Sequence, residues 1–338
     1  MHSVRAHLLL YKTYHNHLPS GKYLFKLSLY LVSIQRGKKE MFFGILFTIL
    51  WASGAVSVKF GLLSAPPLIM GTIRFLLAGS LLLVYIYLFR KGKYRMPQKH
   101  EWKPLILLGL FNTSLYLGCG FWALKTVSSG FFNLAVVINP FLVAILSSVF
   151  MNRFIQKKEW IGMLISAIGL VIATYPLLKD GHSTLSGIIL LLIGMISMAI
   201  GSVYFQKHKL QLPSLVINAW QVLFGGIILI IPSMLLELDE PVIFDMNLIL
   251  YLVWSVLGVS IFAMILWFYL LKQDAVKANI WLFLTPIAGY LLASVLLGEK
   301  VTIYDVIASL FVFTGLYLSG NLRLNKSPNP SLEKKVEA

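Results

Sequence analysis

The amino-acid sequence predicts an all-α polytopic membrane protein, with ten transmembrane helices arranged as two inverted five-helix repeats. Three observations predict this fold: an unusually apolar composition, ten apolar runs of spanning length, and a second half that repeats the first. Of the 338 residues, 58% are hydrophobic and only 12% are charged, and the mean hydropathy is +0.81. Soluble proteins are about 45–50% apolar and about 25% charged, so this chain has too little polar surface for a water-soluble globule.

The ten apolar runs follow one another along almost the whole chain. Each is close to the roughly 20 residues that a helix needs to cross a bilayer. Strands of a membrane barrel would be shorter and would alternate in polarity, which these runs do not. The predicted spans are 42–60, 68–89, 105–124, 131–151, 160–178, 185–205, 215–236, 248–271, 280–297 and 303–322.

The loops between the runs alternate in positive charge. Lys and Arg cluster at 36–39, 90–103, 153–158, 207–209 and 272–277 and in the tail after 322, whereas the loops between them carry few, and 237–245 is acidic. Loops rich in Lys and Arg stay on the cytoplasmic side. The alternation therefore predicts a multi-pass protein of the bacterial cytoplasmic membrane with both termini in the cytoplasm. One run more or fewer would break the pattern, which supports the count of ten.

The second half of the chain repeats the first at a constant spacing. Pro140 lies 146 residues before Pro286, and the same spacing relates Gly169 to Gly315 and Leu170 to Leu316. Because each repeat has an odd number of spans, the halves cross the membrane in opposite orientations. Inverted repeats are typical of carriers in which two halves exchange shapes around a central site. The pattern thus predicts transport of a small-molecule substrate across the lipid bilayer.

These spacings define the predicted domains. The first repeat covers 42–178, the second covers 185–322, and 323–338 form a cytoplasmic tail. Residues 1–41 form an N-terminal extension that fits poorly, because the apolar stretch 23–34 is too short to span and contains Lys26. Three interpretations stay open for it: a signal peptide, an interfacial amphipathic helix, or a segment preceding a native start at Met41.

Several short motifs point to one family. They are Leu50-Trp51-Ala52-Ser53 followed by Lys59, Pro67 with Arg74-Phe75, Ala123-Leu124 before Asn139-Pro140, and Gly298-Glu299-Lys300-Val301-Thr302. With these motifs, residues 41–322 resemble the EamA-type branch of the drug/metabolite transporter superfamily. The resemblance implies ten helices, a central cavity between the halves, and export of small metabolites, most often amino acids and related compounds, and also drug-like compounds. One departure is that Arg153 occupies the position aligned with Glu299, where the first half of family members usually carries an acidic residue.

Polar and aromatic side chains within the spans are the candidates for substrate binding. An Asn or Gln facing lipid is costly, so these residues should face the bundle interior, where they either line a cavity or join helices. Deeply placed Trp side chains could supply apolar cavity walls or simply pack. The predicted substrate-binding residues are Trp51, Asn112, Tyr116, Asn133, Asn139, Trp267, Asn279 and Trp281.

Two prolines and three charged residues complete the candidate site. Pro140 and Pro286 lie within apolar runs, where a proline removes a backbone hydrogen bond and permits a kink, so they are predicted to act as hinge or gate elements. Lys59, Arg74 and Glu299 lie near the outer ends of their runs. At a cavity mouth, Lys59 and Arg74 could attract a carboxylate-bearing substrate; the alternative for both is snorkelling to the headgroups.

Other classes of function find no support in the sequence. The formal net charge of +16 is spread over separate loops, which argues against nucleic-acid binding, and the single Cys119 can form neither an intramolecular disulfide nor a metal cluster. No metalloprotease, nucleophile-elbow or nucleotide-binding motif is present, so we expect no enzyme, cofactor or metal. Coupling to protons stays open, with Glu299 as the nearest candidate. The alternatives are transport of drug-like or sugar-type solutes and a structural, non-transporting role.

Overall fold

A computed structural model of the protein describes residues 21–151, 154–179, 184–208, 210–273, 281–282 and 284–318. The chain divides into two compact units, Met1–Ile45 and Leu46–Ala338. In the first unit the backbone is helical from Gly21 onwards. The tail 323–338 and residues 1–20 of the N-terminal extension lie outside the described residues. The second unit contains the helix bundle.

The prediction of an all-α fold with ten spans is confirmed, because the described residues contain a helix over every predicted run and no strand. Seven of these helices are long and apolar enough to cross a membrane, and two shorter apolar ones follow near the C-terminus. The helices are α1 (Gly21–Gly61), α2 (Pro67–Phe89), α3 (Lys99–Ala123), α4 (Ser129–Met151), α5 (Lys157–Lys179), α6 (Leu185–His208), α7 (Ser214–Glu237), α8 (residues 246–273), α9 (Thr285–Leu297) and α10 (Ile303–Leu318).

The two predicted prolines begin helical segments instead of kinking continuous ones. Helix α4 is broken after Val136, and its second segment runs from Asn139 to Met151 over 13 residues. Helix α9 also has 13 residues and starts 146 positions later. Pro140 and Pro286 therefore occupy the second position of equivalent segments, where a missing N–H costs nothing and the fixed φ suits a first turn. The repeat inferred from the sequence thus places the same helix start in each half.

Reciprocal contacts between the halves show the two-fold relation directly. A Cβ atom added to Gly79 of α2 would lie 2.8 Å from the backbone nitrogen of Leu223 in α7, and one added to Gly226 would lie 2.9 Å from that of Leu76. Gly79 and Gly226 are 147 residues apart, and so are Leu76 and Leu223. Each helix thus presents a glycine to the equivalent leucine of the other, as in an isologous interface. Small residues let membrane helices approach this closely.

A second reciprocal contact joins α5 to α10. A Cβ atom at Gly169 would meet the carbonyl oxygen of Ala308, and one at Gly315 would meet that of Gly162. The hydroxyl of Ser166 donates to the carbonyl oxygen of Val312 at 3.4 Å, and these two residues are 146 positions apart. The α2–α7 and α5–α10 pairs are the most extensive helix contacts between the halves.

The helix ends define two faces of the bundle. The acidic face is formed by the connections 62–66, 124–128, 238–245 and 298–302, and the basic face by 90–98, 154–156 and 210–213. Contacts hold the connections of each face together, such as Lys125 with Glu240 at 3.3 Å on the acidic face and Arg95 with the carbonyl oxygen of Gln211 at 3.1 Å on the basic face. The charge alternation read from the sequence therefore corresponds to two opposite ends of the bundle.

Candidate functional site

A cavity of about 690 Å³ lies between the two halves. This volume falls within the range of small-molecule binding sites, which are mostly apolar with a few convergent polar groups. Its walls come from α1 to α8, with Leu282 added from the segment before α9. Of the predicted substrate-binding residues, those that line it are Trp51, Asn112, Tyr116, Asn133, Asn139 and Trp267.

The apolar wall on one side is aromatic. The ring of Phe47 stacks on Trp267 of α8 with centroids 5.2 Å apart and lies 5.8 Å from Trp51, one turn further along α1. Phe47 is fully buried, whereas Trp51 and Trp267 are half-buried and face the cavity. Such rings present a large, rigid apolar surface to a ligand. Residues of α1 and α8, from opposite halves, thus build one wall together.

The amide side chains of α4 both line the cavity and hold neighbouring helices. The Asn133 amide donates to the carbonyl oxygens of Ala52 at 3.2 Å and Ser129 at 3.0 Å, and the Asn139 amide donates to that of Met195 at 3.1 Å. The Asn139 bond links the first half to α6 of the second, next to the break in α4. These residues therefore combine the two roles, cavity lining and helix joining, that the sequence left open.

Two widened helical segments carry further polar lining. Gly109–Leu115 of α3 and Trp254–Ala263 of α8 form i→i+5 hydrogen bonds, a rare geometry that is frequent at functional sites. The first segment brings Asn112 to the cavity, and the Oδ1 atom of Asn112 is buried without a hydrogen-bond partner among the described residues. The second segment brings Ser260. Because these segments lie at matching places in the two halves, the irregularity is part of the repeat.

Three polar residues of the second half, which are not in the predicted substrate-binding set, also line the cavity. Asn218 and Gln221 on α7 and Ser260 on α8 line the cavity and are 1%, 8% and 6% exposed. The Asn218 amide donates to the Ser260 carbonyl oxygen at 3.3 Å, and the Gln221 amide donates to Asn218 Oδ1 at 3.3 Å. A signal existed, since Asn218 and Gln221 lie three residues apart, on one face of an otherwise apolar helix.

The sequence predicted that Arg74 lies at a mouth of the cavity. In the structure it lies on the cavity wall. Its side chain is only 4% exposed, and Nε donates to Ser260 Oγ at 3.1 Å. The guanidinium carbon lies 5.5 Å from the ring centroid of Phe75 and 5.4 Å from that of Phe121. The prediction was wrong because distance along a run gives depth only, and the side of α2 that carries Arg74 faces inward.

The other charged candidates also have different surroundings from those expected. Lys59 and Glu299 interact electrostatically, and neither is among the described residues that line the cavity. Glu299 accepts hydrogen bonds from Ser129 N at 3.0 Å, Ser129 Oγ at 2.8 Å and Gly130 N at 3.3 Å, and so caps the start of α4. Gly298, with φ of +65°, ends α9 in the left-handed region and turns the chain towards α4.

Two of the remaining candidates, Trp281 and Pro286, are not on the described cavity wall. Trp281 is not among the described residues that line the cavity. The carbonyl oxygen of Trp281 accepts a hydrogen bond from Thr48 Oγ1 at 3.0 Å. Pro286 is buried in the first turn of α9, away from the described lining, whereas Pro140 is part of it. Asn279 lies outside the described residues.

Carboxylates of the second half also hold the first half elsewhere on the acidic face. Glu237, at the end of α7 and 1% exposed, accepts the backbone N–H groups of Leu68 at 3.0 Å and Ile69 at 2.8 Å. Asp245 accepts from the hydroxyl of Ser64 at 2.6 Å. These N–H groups would otherwise be unsatisfied at the start of α2. We call the hydrogen bonds that Glu237, Asp245 and Glu299 accept from the first half the acidic-face contacts. They join the halves at this face.

The cavity extends to the opposite, basic face. Its lining there includes Glu159 in the first turn of α5 and Phe205 and Gln206 near the end of α6. Phe205 and Gln206 are exposed, whereas Phe121 and Leu124, which line the cavity near the acidic face, are 3% and 0% exposed. Among the described residues, the exposed part of the lining therefore lies at the basic face, and the lining near the acidic face is buried.

Comparison with known proteins agrees with this architecture. The chain is 24% identical over 274 residues to the uncharacterized transporter YoaV of Bacillus subtilis, covering 80% of this chain and 93% of that protein. It is 29% identical over 289 residues to the uncharacterized inner membrane transporter YedA of Escherichia coli, covering 82% and 92%. It is 25% identical over 297 residues to a probable amino-acid metabolite efflux pump of Salmonella typhimurium, covering 83% and 95%.

A solved crystal structure shares the fold, with a TM-score of 0.61 at 17% identity over 86% of this chain and 99% of the other. The sequence model of the EamA-like transporter family matches twice, at residues 38–175 and 185–321, so that each half of the bundle corresponds to one match. The matches cover most of the chain, and the relatives are named as transporters, not enzymes. The chain is therefore a multi-pass membrane transporter that belongs to the EamA-like transporter family.

Proposed function

We propose that this transporter exports small organic metabolites, amino acids or related compounds, across the bacterial cytoplasmic membrane by alternating access. The observation that carries the proposal is the central cavity, which lies between inverted halves, extends to the basic face and is covered at the acidic face. A carrier that loads its substrate from the cytoplasm needs this arrangement in one of its two states. The basic face is the cytoplasmic one in this proposal, and both termini lie there.

The symmetry of the halves supports the second state. Reciprocal glycine contacts bring α2 against α7 and α5 against α10 through equivalent small residues of the two halves, so each pair presents the same surface from both sides. If the two halves exchanged their slightly different shapes, the cavity would close at the basic face and open at the acidic face. The acidic-face contacts would break in that exchange, and the substrate would leave on the outer side.

The cavity lining favours a small amphipathic solute. Asn133, Asn139 and Asn112 offer amide groups, and Trp51 and Trp267 offer an apolar surface. A metabolite with polar head groups and a modest apolar part satisfies both, and one of the relatives is named as a probable amino-acid metabolite efflux pump. Proton coupling is part of the proposal to be tested, and Glu159 is the one carboxylate among the described lining residues.

The test is efflux from liposomes that contain the purified protein and a panel of labelled amino acids, with and without a pH gradient. The expected result is selective efflux of some members, which Asn139→Ala reduces at least tenfold because the cavity and the α4–α6 contact both change. Thr314→Ala, a substitution at an exposed position of α10 outside the described cavity lining, should keep the wild-type rate. Acceleration by the gradient would support proton coupling.

Each other outcome of this test has a defined meaning. Efflux of drug-like or sugar-type solutes alone would replace the substrate class while keeping the transport mechanism. Absence of flux for all three classes would contradict the transport proposal and favour a structural role. A reporter fused after Ala338 that is active outside the cytoplasm would contradict the proposed orientation.

A further inference from the structure

Arg74 is a charge placed deep in an apolar span. It lies seven residues after Pro67, the first residue of α2, and thus about 10 Å below the start of the helix. With 4% of its side chain exposed, it cannot reach the headgroups by snorkelling. A charge within a membrane span is costly unless it is paired, and such residues usually serve a substrate or ion pathway. The position of Arg74 therefore needs a compensating group.

No carboxylate supplies this compensation among the residues that the structure describes. The ion pairs there join Arg95 to Glu101 and Lys125 to Glu240. The groups that act electrostatically on Arg74 are the phenols of Tyr251 and Tyr116. Its Nε atom is used by Ser260, and the two rings beside it offer cation–π contacts. A guanidinium has five N–H donors in a planar fork, so donors remain beyond those that face Ser260 and the Tyr251 hydroxyl.

The polar groups around Arg74 form a cluster built from three helices. Ser260 accepts from Arg74 through its hydroxyl and from the Asn218 amide through its carbonyl oxygen, and Gln221 donates to Asn218. All four residues line the cavity. Arg74 and Gln221 are 147 residues apart, so they occupy equivalent positions in the two repeats. The cluster therefore lies at the inter-half interface on which transport would depend.

We propose that Arg74 is the anchor of an anion subsite, which binds the carboxylate of the transported solute. The planar fork of Arg74 matches a carboxylate in a bidentate pair. Asn218 and Gln221 belong to the same hydrogen-bonded cluster on the cavity wall. The aromatic wall of Phe47, Trp51 and Trp267 takes the apolar part of the same solute. The inference deepens the proposed function and rests on it, because it names small amphipathic carboxylates as the substrate class.

The charge of the cavity favours a monoanion. Arg74 is the one Lys or Arg among the described lining residues, and Glu159 is the one carboxylate, in the first turn of α5 at the basic face. A phosphate dianion would need a second cation near Arg74 to offset its charge. A carboxylate needs one cation, which Arg74 supplies. A solute that also carries an amino group would pass Glu159 on its path from the basic face.

The test measures ligand-induced thermal stabilisation of the purified protein in detergent, which needs no transport. The probes are 3-phenylpropionate, indole-3-acetate and 4-methylpentanoate, each paired with its neutral amide. Wild-type protein should bind at least one carboxylate about tenfold or more tightly than the matched amide, as expected for a charge-assisted bidentate pair. In Arg74→Gln the ratio should fall to about one, and in Arg74→Lys it should be intermediate. Arg90→Gln, the same change at an exposed position, should keep the wild-type ratio.

The outcomes separate this inference from the proposed function. Equal binding of carboxylates and amides by wild-type protein, or an Arg74→Gln variant that keeps the preference, overturns the subsite. If Arg74→Gln does not fold, Arg74→Lys and Ser260→Ala decide, since a purely structural arginine would leave the carboxylate-to-amide ratio unchanged in both. A preserved ratio with no flux in liposomes would contradict transport alone, and flux without a carboxylate preference would contradict the subsite alone.

Discussion

The acidic and basic faces of the bundle join the two halves by different chemistry. On the acidic face, Glu237, Asp245 and Glu299 of the second half accept hydrogen bonds from the first half. On the basic face, the described inter-half hydrogen bonds run from Arg95 to a carbonyl oxygen and from Trp220 to the hydroxyl of Tyr87. Both of these basic-face hydrogen bonds lie near the start of α7. The cavity extends to the basic face beside α5 and α6.

The difference follows from combining an inverted repeat with a charge bias. Helices α2 and α4 start at the acidic face, and the positive ends of their backbone dipoles favour carboxylates there. Arg90 lies 147 residues before Glu237, so the repeat places an arginine where the other face has a carboxylate. An arginine cannot accept the N–H groups of a helix start. The basic loops therefore cannot form, on their own face, contacts of the kind that close the acidic face.

The largest expected effect comes from removing Glu237. Glu237→Ala would leave the N–H groups of Leu68 and Ile69 without their acceptor, at a buried helix start. We expect a loss of about 2–3 kcal/mol in the free energy of unfolding, measured by thermal or denaturant unfolding in detergent. Glu240→Ala, which removes an exposed ion pair on the same face, should cost about 0.5 kcal/mol or less. Equal losses in the two variants would refute the distinction between cap and surface pair.

A smaller loss is expected at Glu299. Glu299→Gln keeps one acceptor oxygen for Ser129 and Gly130 but loses the charge that favours the start of α4. We expect about 1 kcal/mol of destabilisation in the same unfolding measurement. The exposed neighbour Lys300 provides the control, and Lys300→Gln should change stability by less than about 0.5 kcal/mol. If the free energy of unfolding of Glu299→Gln equalled that of wild type, this contact would be incidental to the closed acidic face.

The smallest effect concerns how stability depends on pH at low pH. Hydrogen bonds from Ser64 and from the backbone N–H of Leu248 hold the pKa of Asp245 below its ordinary value. A carboxyl group whose pKa is lowered on folding contributes stability that is complete above its unfolded pKa of about 3.9 and is lost as the pH falls through the folded pKa. The stability of Asp245→Asn should therefore depend less on pH than wild type below about pH 4, and equally above pH 5, as followed by unfolding at each pH. If wild type and Asp245→Asn depended equally on pH in this range, Asp245 would be excluded from the acidic-face contacts.

The sequence was sufficient for the helices and for the repeat. Span positions follow from apolar runs that must reach across a bilayer. The sequence also singled out Pro140, but as a kink within one helix and not as the start of a second segment of α4. Contact partners were harder to predict. A span that is apolar on every side gives no amphipathic signal for which face points inward, so Arg74 and Trp281 were placed by depth alone.

The acidic-face contacts were also beyond the sequence. Glu237 and Glu299 are ordinary loop carboxylates in the linear order, and their partners lie 169 and 170 residues away. Only the packing of the halves brings them to the starts of α2 and α4. The repeat could have identified Gln221 as the equivalent of Arg74, but the spacing there is 147 residues and not the 146 that relates the prolines.

The most direct test of the account is the side-specific labelling of one cysteine in the cavity. Ala55 lines the cavity and is 5% exposed, so Ala55→Cys in a Cys119→Ser background reports access to it. In membrane vesicles of both orientations, a membrane-impermeant thiol reagent should label this cysteine from the basic face and much more slowly from the acidic face. Adding Glu237→Gln and Glu299→Gln should raise labelling from the acidic face at least fivefold. Equal labelling from both faces before these changes, or no increase after them, would contradict a cavity closed by the acidic-face contacts.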